Sequence, residues 1–399
     1  MTAPHGFSVS RYAPERSTLA RLTARDSVLR RLDWPILLSA LALSLIGSLL
    51  VWSATRGRTS LNQGDPYYFL FRHLLNTGIG VALMIGTIWL GHRTLRGAVP
   101  VLYGLSIVLI LAVLTPLGAT INGAHAWIVI GGGFSLQPSE FVKITIILVT
   151  AMLLAAKVDA GDQIHPDHGT VAKALLLAAL PMGIVMLMPD LGSVMVMIVI
   201  VLGVLLASGA SNRWILGLLG AGVLGAVLVT ALGMLDEYQI NRFAAFANPD
   251  LDPSGVGYNT NQARIAIGSG GAFGAGLFKG SQTTGQFVPE QQTDFVFTVA
   301  GEELGFVGAG LILVLLGVIL WRACRIARGS TELYGTIVAA GIVAWFAFQS
   351  FENIGMTLGI MPVAGLPLPF VSYGGSSMFA VWVAIGLLQS IRVQRPMTA

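Results

Sequence analysis

Charge is scarce in this chain. Asp, Glu, Lys and Arg make up 11% of its 399 residues and hydrophobic residues 54%, whereas a soluble globular domain carries about 25% charged residues. That balance excludes a water-soluble fold. Cysteine is nearly missing as well: Cys324 is the only one, so an intrachain disulfide framework and a cysteine-built metal centre are both excluded. No His, Asp and Glu cluster has zinc-site spacing. No stretch is polar enough for a separate soluble domain, and the longest non-membrane segment runs from about 234 to 295.

What fills the chain is apolar sequence of spanning length. Ten runs stand out, at 35–54, 74–91, 98–117, 141–156, 171–188, 192–207, 214–232, 296–321, 333–358 and 371–390. The expected fold is an all-α polytopic membrane protein of about ten transmembrane helices, with its largest loop between spans seven and eight. Residues 1–34 form a basic tail, 35–392 the transmembrane domain and 393–399 a second tail. The first run is too long for a signal-peptide core and reads as an uncleaved anchor.

Orientation follows from the basic residues. With the N-terminus inside, sixteen of the 23 Lys and Arg fall on the cytoplasmic side and seven outside, as the positive-inside rule demands. Both tails are then cytoplasmic and the 234–295 loop faces outward. The net charge of +4 reflects this topology, and nothing in it points to nucleic acid.

Polar groups at a hydrocarbon boundary are costly and mark function or a fixed partner. Asp294 is one, at the start of span eight, where it abuts the apolar run. A carboxylate shielded by Phe295 and Phe297 suits a general base on a sugar hydroxyl; the alternative is that Thr293 or Asp294 caps the helix starting at Phe295. Glu302 and Glu303 follow within the span, on the order of 12–14 Å deeper at 1.5 Å per residue. They either shape a cavity or form a hydrogen-bonded structural pair. Glu140 and Lys143, three apart at the entry of span four, share a face and pair. Asp190 either caps span six or points into the same cavity.

Arg242, Arg264 and Lys279 are the basic residues of the loop, with Gln262 and Glu290 beside them in sequence. With the glycine-rich run 268–276 they suit a diphosphate. That run has no βαβ context and no following Lys-Ser/Thr, which excludes a dinucleotide fingerprint and a P-loop. A divalent cation, Mg²⁺ or Mn²⁺, bridging Asp294, Glu290 and a diphosphate is conceivable. The Gly-rich loop 120–140 reads as an interfacial turn leading into span four, with His125 and Trp127 as interfacial anchors. Pro362, Pro367 and Pro369 among the glycines of 359–376, a segment that includes Ser372, exclude a continuous helix there.

Four segments together resemble one family: Ile121 to Trp127 with Gln137 to Lys143; Pro189 to Gly192; Tyr238 to Arg242 through 268–271 to Val288 to Phe295; and Asn353 to Met356 through Pro362 to Ser376. The chain is similar to the SEDS proteins (shape, elongation, division and sporulation), membrane-embedded peptidoglycan polymerases, over spans one to ten. Leu32 to Pro35 and Asn353 to Met356 are most similar to the elongation branch, RodA. Ala126 and Met188 depart from the residues common at those positions.

The resemblance implies that Asp294 is the catalytic carboxylate of a glycosyltransferase that joins the disaccharides of lipid II and releases undecaprenyl diphosphate. It also implies a class B penicillin-binding protein as partner. Two other readings compete: a lipid II flippase using Glu140, Lys143, Glu302 and Glu303 as a polar path, and a non-catalytic scaffold.

Overall fold

The computed structural model describes residues 28–62, 64–121, 124–131, 134–188, 190–231 and 255–394. The long helices are α1 (Trp34–Thr55), α2 (Tyr68–Leu90), α3 (His92–Val113), α4 (Pro138–Asp159), α5 (His168–Met186), α6 (Leu191–Ser208) and α7 (Asn212–Ala231). Two shorter ones follow, α8 (Val256–Ser269) and α9 (Ser281–Gly285). Then come α10 (Val296–Arg328), α11 (Leu333–Leu358) and α12 (Gly375–Val393). Among the described residues nine of these, α1–α6 and α10–α12, are long and apolar enough to cross a membrane. α7 coincides with the seventh expected run, whose last residue lies outside the described residues.

One departure from an all-α fold is a three-stranded antiparallel sheet: β1 (Gly118–Ile121), β2 (Ala124–Gly131) and β3 (Phe134–Leu136), in the order β1-β2-β3. Sequence reasoning reads this stretch as an interfacial turn. Its Thr, Ile, Val and Trp are strand formers, and pairing satisfies backbone groups that no helix covers. His125 joins that frame, its ring nitrogens within 3.0 Å of Thr120 Oγ1 and 2.9 Å of Val113 O.

Between apolar helices in lipid there is little hydrophobic drive, so close packing and hydrogen bonds hold the bundle. The helices alternate between two ends. At the first end, Asp33 accepts from Arg322 Nη2 (2.6 Å) and lies 3.2 Å from Arg392 Nη1, joining α1, α10 and α12. Arg96 reaches Asp159 at 2.9 Å, and Asp159 accepts from Leu333 N at 2.7 Å, joining α3, α4 and α11.

The second end gathers the sheet and the residues around 56–62, 276–295 and 359–374. The 359–374 segment is non-helical yet buried at Leu366, Leu368, Phe370 and Val371. Gly47 on α1 admits it: a Cβ there would lie 2.4 Å from Val371 O.

Candidate functional site

The stretch from Val288 to Asp294 winds into a tight turn before α10. Glu290 adopts φ +49°, a region that non-glycine residues seldom occupy outside sites that over-determine it. Its carbonyl accepts from the backbone N–H of Thr293, Asp294 and Phe295 at 3.2, 3.1 and 3.2 Å. Its carboxylate accepts from Gln292 Nε2 and Thr293 Oγ1, both at 3.2 Å. The N-cap of α10 is Phe295, without a side-chain cap bond. The turn winds around the Glu290 carbonyl before the helix begins, so the N-cap position falls one residue beyond Asp294.

Other elements clamp this turn along its length. Arg58, buried just beyond α1, donates from Nη2 to Val288 O (3.0 Å) and Gln291 Oε1 (3.3 Å). Burial lowers the Arg58 guanidinium from its ordinary value while the Glu290 carboxylate opposes the shift, and an arginine stays charged through it. Tyr373 N donates to Gln292 O at 2.9 Å, and Ser372 Oγ donates to Thr293 O. Asn353 Nδ2 donates to Asp294 O at 2.7 Å. Phe295 packs below with Ala263, Val288 and Met356. The Asp294 side chain is half-buried, with Oδ2 beside Gly365, where a Cβ would lie 3.5 Å away.

A buried polar chain leads to the same place. Lys143 Nζ donates to Glu140 Oε1 (2.7 Å) and to Gln349 Oε1 (3.1 Å), and Gln349 Nε2 donates to Pro367 O (2.7 Å). Lys143 also lies over the Trp345 ring, 5.0 Å from its centre. The Glu140–Lys143 pair is the one expected from spacing. Its extension to Gln349 and the 359–374 segment is not visible in sequence.

Glu302 and Glu303 sit in a π-helical turn, Ala300–Leu304. Glu302 accepts from Gln282 N (2.7 Å), Thr283 N (2.9 Å) and Thr283 Oγ1 (2.7 Å) at the start of α9. Glu303 Oε1 accepts from Ser53 Oγ at 2.6 Å. Both are tied to neighbouring backbone and side chains, each to different partners.

The glycine run is committed to the same contact. Ala275 N and Gly276 N donate to the carbonyls of Glu302 and Glu303 at 2.9 and 3.1 Å. A Cβ at Gly270 would lie 2.0 Å from Gly301 O, and one at Gly274 2.1 Å from Glu303 O. Gly270 and Gly274 thus allow the run to pack closely on the π-helical turn. Asp190 caps α6 through Ser193 N (3.0 Å) and also meets Gln137 Nε2 (3.3 Å) and Ser139 Oγ (3.4 Å), tying α6 to α4.

Lys279 and Arg264 are exposed and Gln262 is half-buried, the last two on α8. Arg242 and the rest of 238–242 lie outside the described residues. Sequence reasoning gave no role to Arg58, Gln349 or Asn353. The latter two carry a usable signal, being carboxamides four apart inside an apolar run.

Among the described residues no three His, Cys, Asp or Glu side chains come together as a metal site.

A family model described as Cell cycle protein, FtsW/RodA/SpoVE, matches residues 33–396. Stage V sporulation protein E of Bacillus subtilis (strain 168) is 38% identical over 367 residues, covering 90% of this chain and 96% of that protein. Peptidoglycan glycosyltransferase MrdB of Escherichia coli (strain K12) is 34% identical over 366 residues, 92% and 95% of the two chains. A solved structure reported as "Structural coordination of polymerization and crosslinking by a peptidoglycan synthase complex" contains a chain with a TM-score of 0.73 at 31% identity, covering 90% of this chain and 97% of that one. The crystal structure of Thermus thermophilus rod shape determining protein RodA gives a TM-score of 0.63 at 30% identity, over 90% and 96% of the two chains. With its bundle, its clamped turn and a match over nearly all its length, the chain belongs to the FtsW/RodA/SpoVE family of membrane proteins, the SEDS family.

Proposed function

We propose that this chain is a peptidoglycan glycosyltransferase that polymerises lipid II at the Asp294 turn, on the extracytoplasmic side of the bacterial cytoplasmic membrane, during cell elongation. The observation that carries this reading is the turn itself. A half-buried carboxylate ends a segment fixed through the carbonyls of Val288, Gln292, Thr293 and Asp294. Such rigidity is what general-base catalysis requires of a group that must meet one hydroxyl.

Asp294 takes the proton of the acceptor sugar's 4-hydroxyl. The oxygen bonds to the anomeric carbon of the donor as the bond from that carbon to the diphosphate oxygen breaks, with inversion. Undecaprenyl diphosphate leaves with the bonding electrons. Arg242 and Lys279 stabilise its charge, and Arg264, Gln262 and Glu290 are the further donor contacts. A bound Mg²⁺ or Mn²⁺ would supply charge neutralisation at the diphosphate through Glu290 and Asp294. A polyprenyl substrate reaches this end of the bundle without leaving the bilayer.

The basic-residue distribution supports a cytoplasmic side for both tails. The class B penicillin-binding partner is supported by the similarity to a chain of a peptidoglycan synthase complex. The flippase reading is disfavoured because Glu140, Lys143, Glu302 and Glu303 already bond to other parts of the chain.

Purified protein supplied with lipid II and a class B partner is expected to yield glycan strands on a gel. Lipid II crossing liposome bilayers without any polymer formed would replace this reading with transport.

A further inference from the structure

Non-helical backbone at the end of a membrane bundle must have its polar groups satisfied by other parts of the protein. Two such segments meet here, the turn before α10 and the 359–374 segment. They touch directly through Ser372 and Tyr373, and one side chain from a third element bridges them as well. Asn353, fully buried on α11, donates from Nδ2 to Asp294 O and to Leu366 O, both at 2.7 Å.

We propose that Asn353 is a positioning residue for catalysis, holding the Asp294 backbone and the wall facing its carboxylate in one fixed relation. This rests on the reading of Asp294 as the base.

The chemistry of the bridge is specific to a carboxamide. One NH₂ group has two hydrogens, and each meets one carbonyl. With the amide turned over, Oδ1 would face both carbonyls, so the hydrogen-bond pattern fixes its orientation. A hydroxyl supplies one donor and a carboxylate none. Leu366 is the immediate neighbour of Gly365, whose Cα carries the surface beside Asp294 Oδ2. Releasing Asn353 therefore loosens the base and its wall together. Gln349, one turn earlier on α11, does the same service for Pro367 O, so α11 holds 359–374 at two adjacent carbonyls.

Asn353 touches no reacting atom in this scheme, which separates its kinetics from those of a binding residue. Misplacement of a reacting group by about 1 Å lowers a rate about 100-fold without weakening substrate binding. Asn353→Ala is therefore expected to lower kcat for lipid II polymerisation about 10- to 100-fold, with KM within twofold. Asn353→Ser, which keeps one donor, falls between Ala and the wild type. Asn353→Asp, which sets a charge against two carbonyls, falls below Ala.

The experiment measures kcat, KM and melting temperature for these three variants and for Asp294→Asn, each as the full chain purified in detergent with its penicillin-binding partner. Supporting results are the order Ser, Ala, Asp in falling kcat, with unchanged KM. Wild-type kcat in Asn353→Ala while Asp294→Asn is inactive overturns the positioning role alone. Activity in Asp294→Asn overturns the base assignment itself. A rise in KM that accounts for the whole loss makes Asn353 a binding determinant and also overturns the proposal. If the Ala variant does not fold, Asn353→Ser decides by the same kcat and KM criteria.

Discussion

The two ends of this bundle are built from different chemistry. The first end is ionic: Arg93–Glu332, Arg96–Asp159, Lys157–Asp167, Arg322–Asp33 and Arg392–Asp33 all lie there. The second is held by a guanidinium, two amides and a hydroxyl against backbone carbonyls, through Arg58, Gln349, Asn353 and Ser372, with the one buried Glu140–Lys143 pair behind Gln349. At the first end the chain passes from helix to helix in short connections, and charges near water staple the termini. At the second the chain leaves helical geometry for long stretches, and buried carbonyls must be met one by one. Ion pairs tolerate small movements, whereas a bridging amide between two carbonyls does not. The stapled end maintains the bundle; the bridged end fixes a position.

Variants that break this contrast are expected to rank by burial. The largest effect on stability belongs to Lys143→Ala, because Glu140 and Lys143 are 1% and 0% exposed at the side chain. Removing one member of a buried pair leaves the other charge uncompensated and costs about 3–5 kcal/mol. Thermal unfolding in detergent checks this, and Glu140→Gln combined with Lys143→Met should recover most of the loss. Asp33→Asn comes next. It keeps the size and the capping position while weakening the bonds from Arg322 and Arg392, for about 1–2 kcal/mol. Its turnover per folded molecule should match the wild type, since it lies at the far end from Asp294. Arg93→Ala is the smallest. That arginine side chain is 58% exposed, and surface pairs contribute about 0–1 kcal/mol, so its melting temperature should barely move.

The spans were legible because apolar length is a local property: α1, α6 and α11 begin and end within a few residues of their runs. The Glu140–Lys143 pair was legible for the same reason, since three residues on a helix fix a shared face. The start of α10 was legible beside Asp294, and the construction of the turn before it much less so. Arg58 reaches Val288 across most of the chain, and no spacing rule encodes such a contact. The packing of the glycine run 268–276 on the π-helical turn at Ala300–Leu304 was hidden because that turn is a distortion that sequence does not announce. The sheet at 118–136 was hidden by strands of three to eight residues between glycines, too short for a clear alternating pattern.

The most direct test of the Asp294 turn as the catalytic centre is the rate of glycan polymerisation from lipid II by Asp294→Asn beside the wild type, each with its penicillin-binding partner. The amide keeps the shape of the carboxylate and leaves the backbone bond to Asn353 intact. The rate is expected to fall about 100- to 10,000-fold at an unchanged melting temperature. Polymer made at close to the wild-type rate would contradict it.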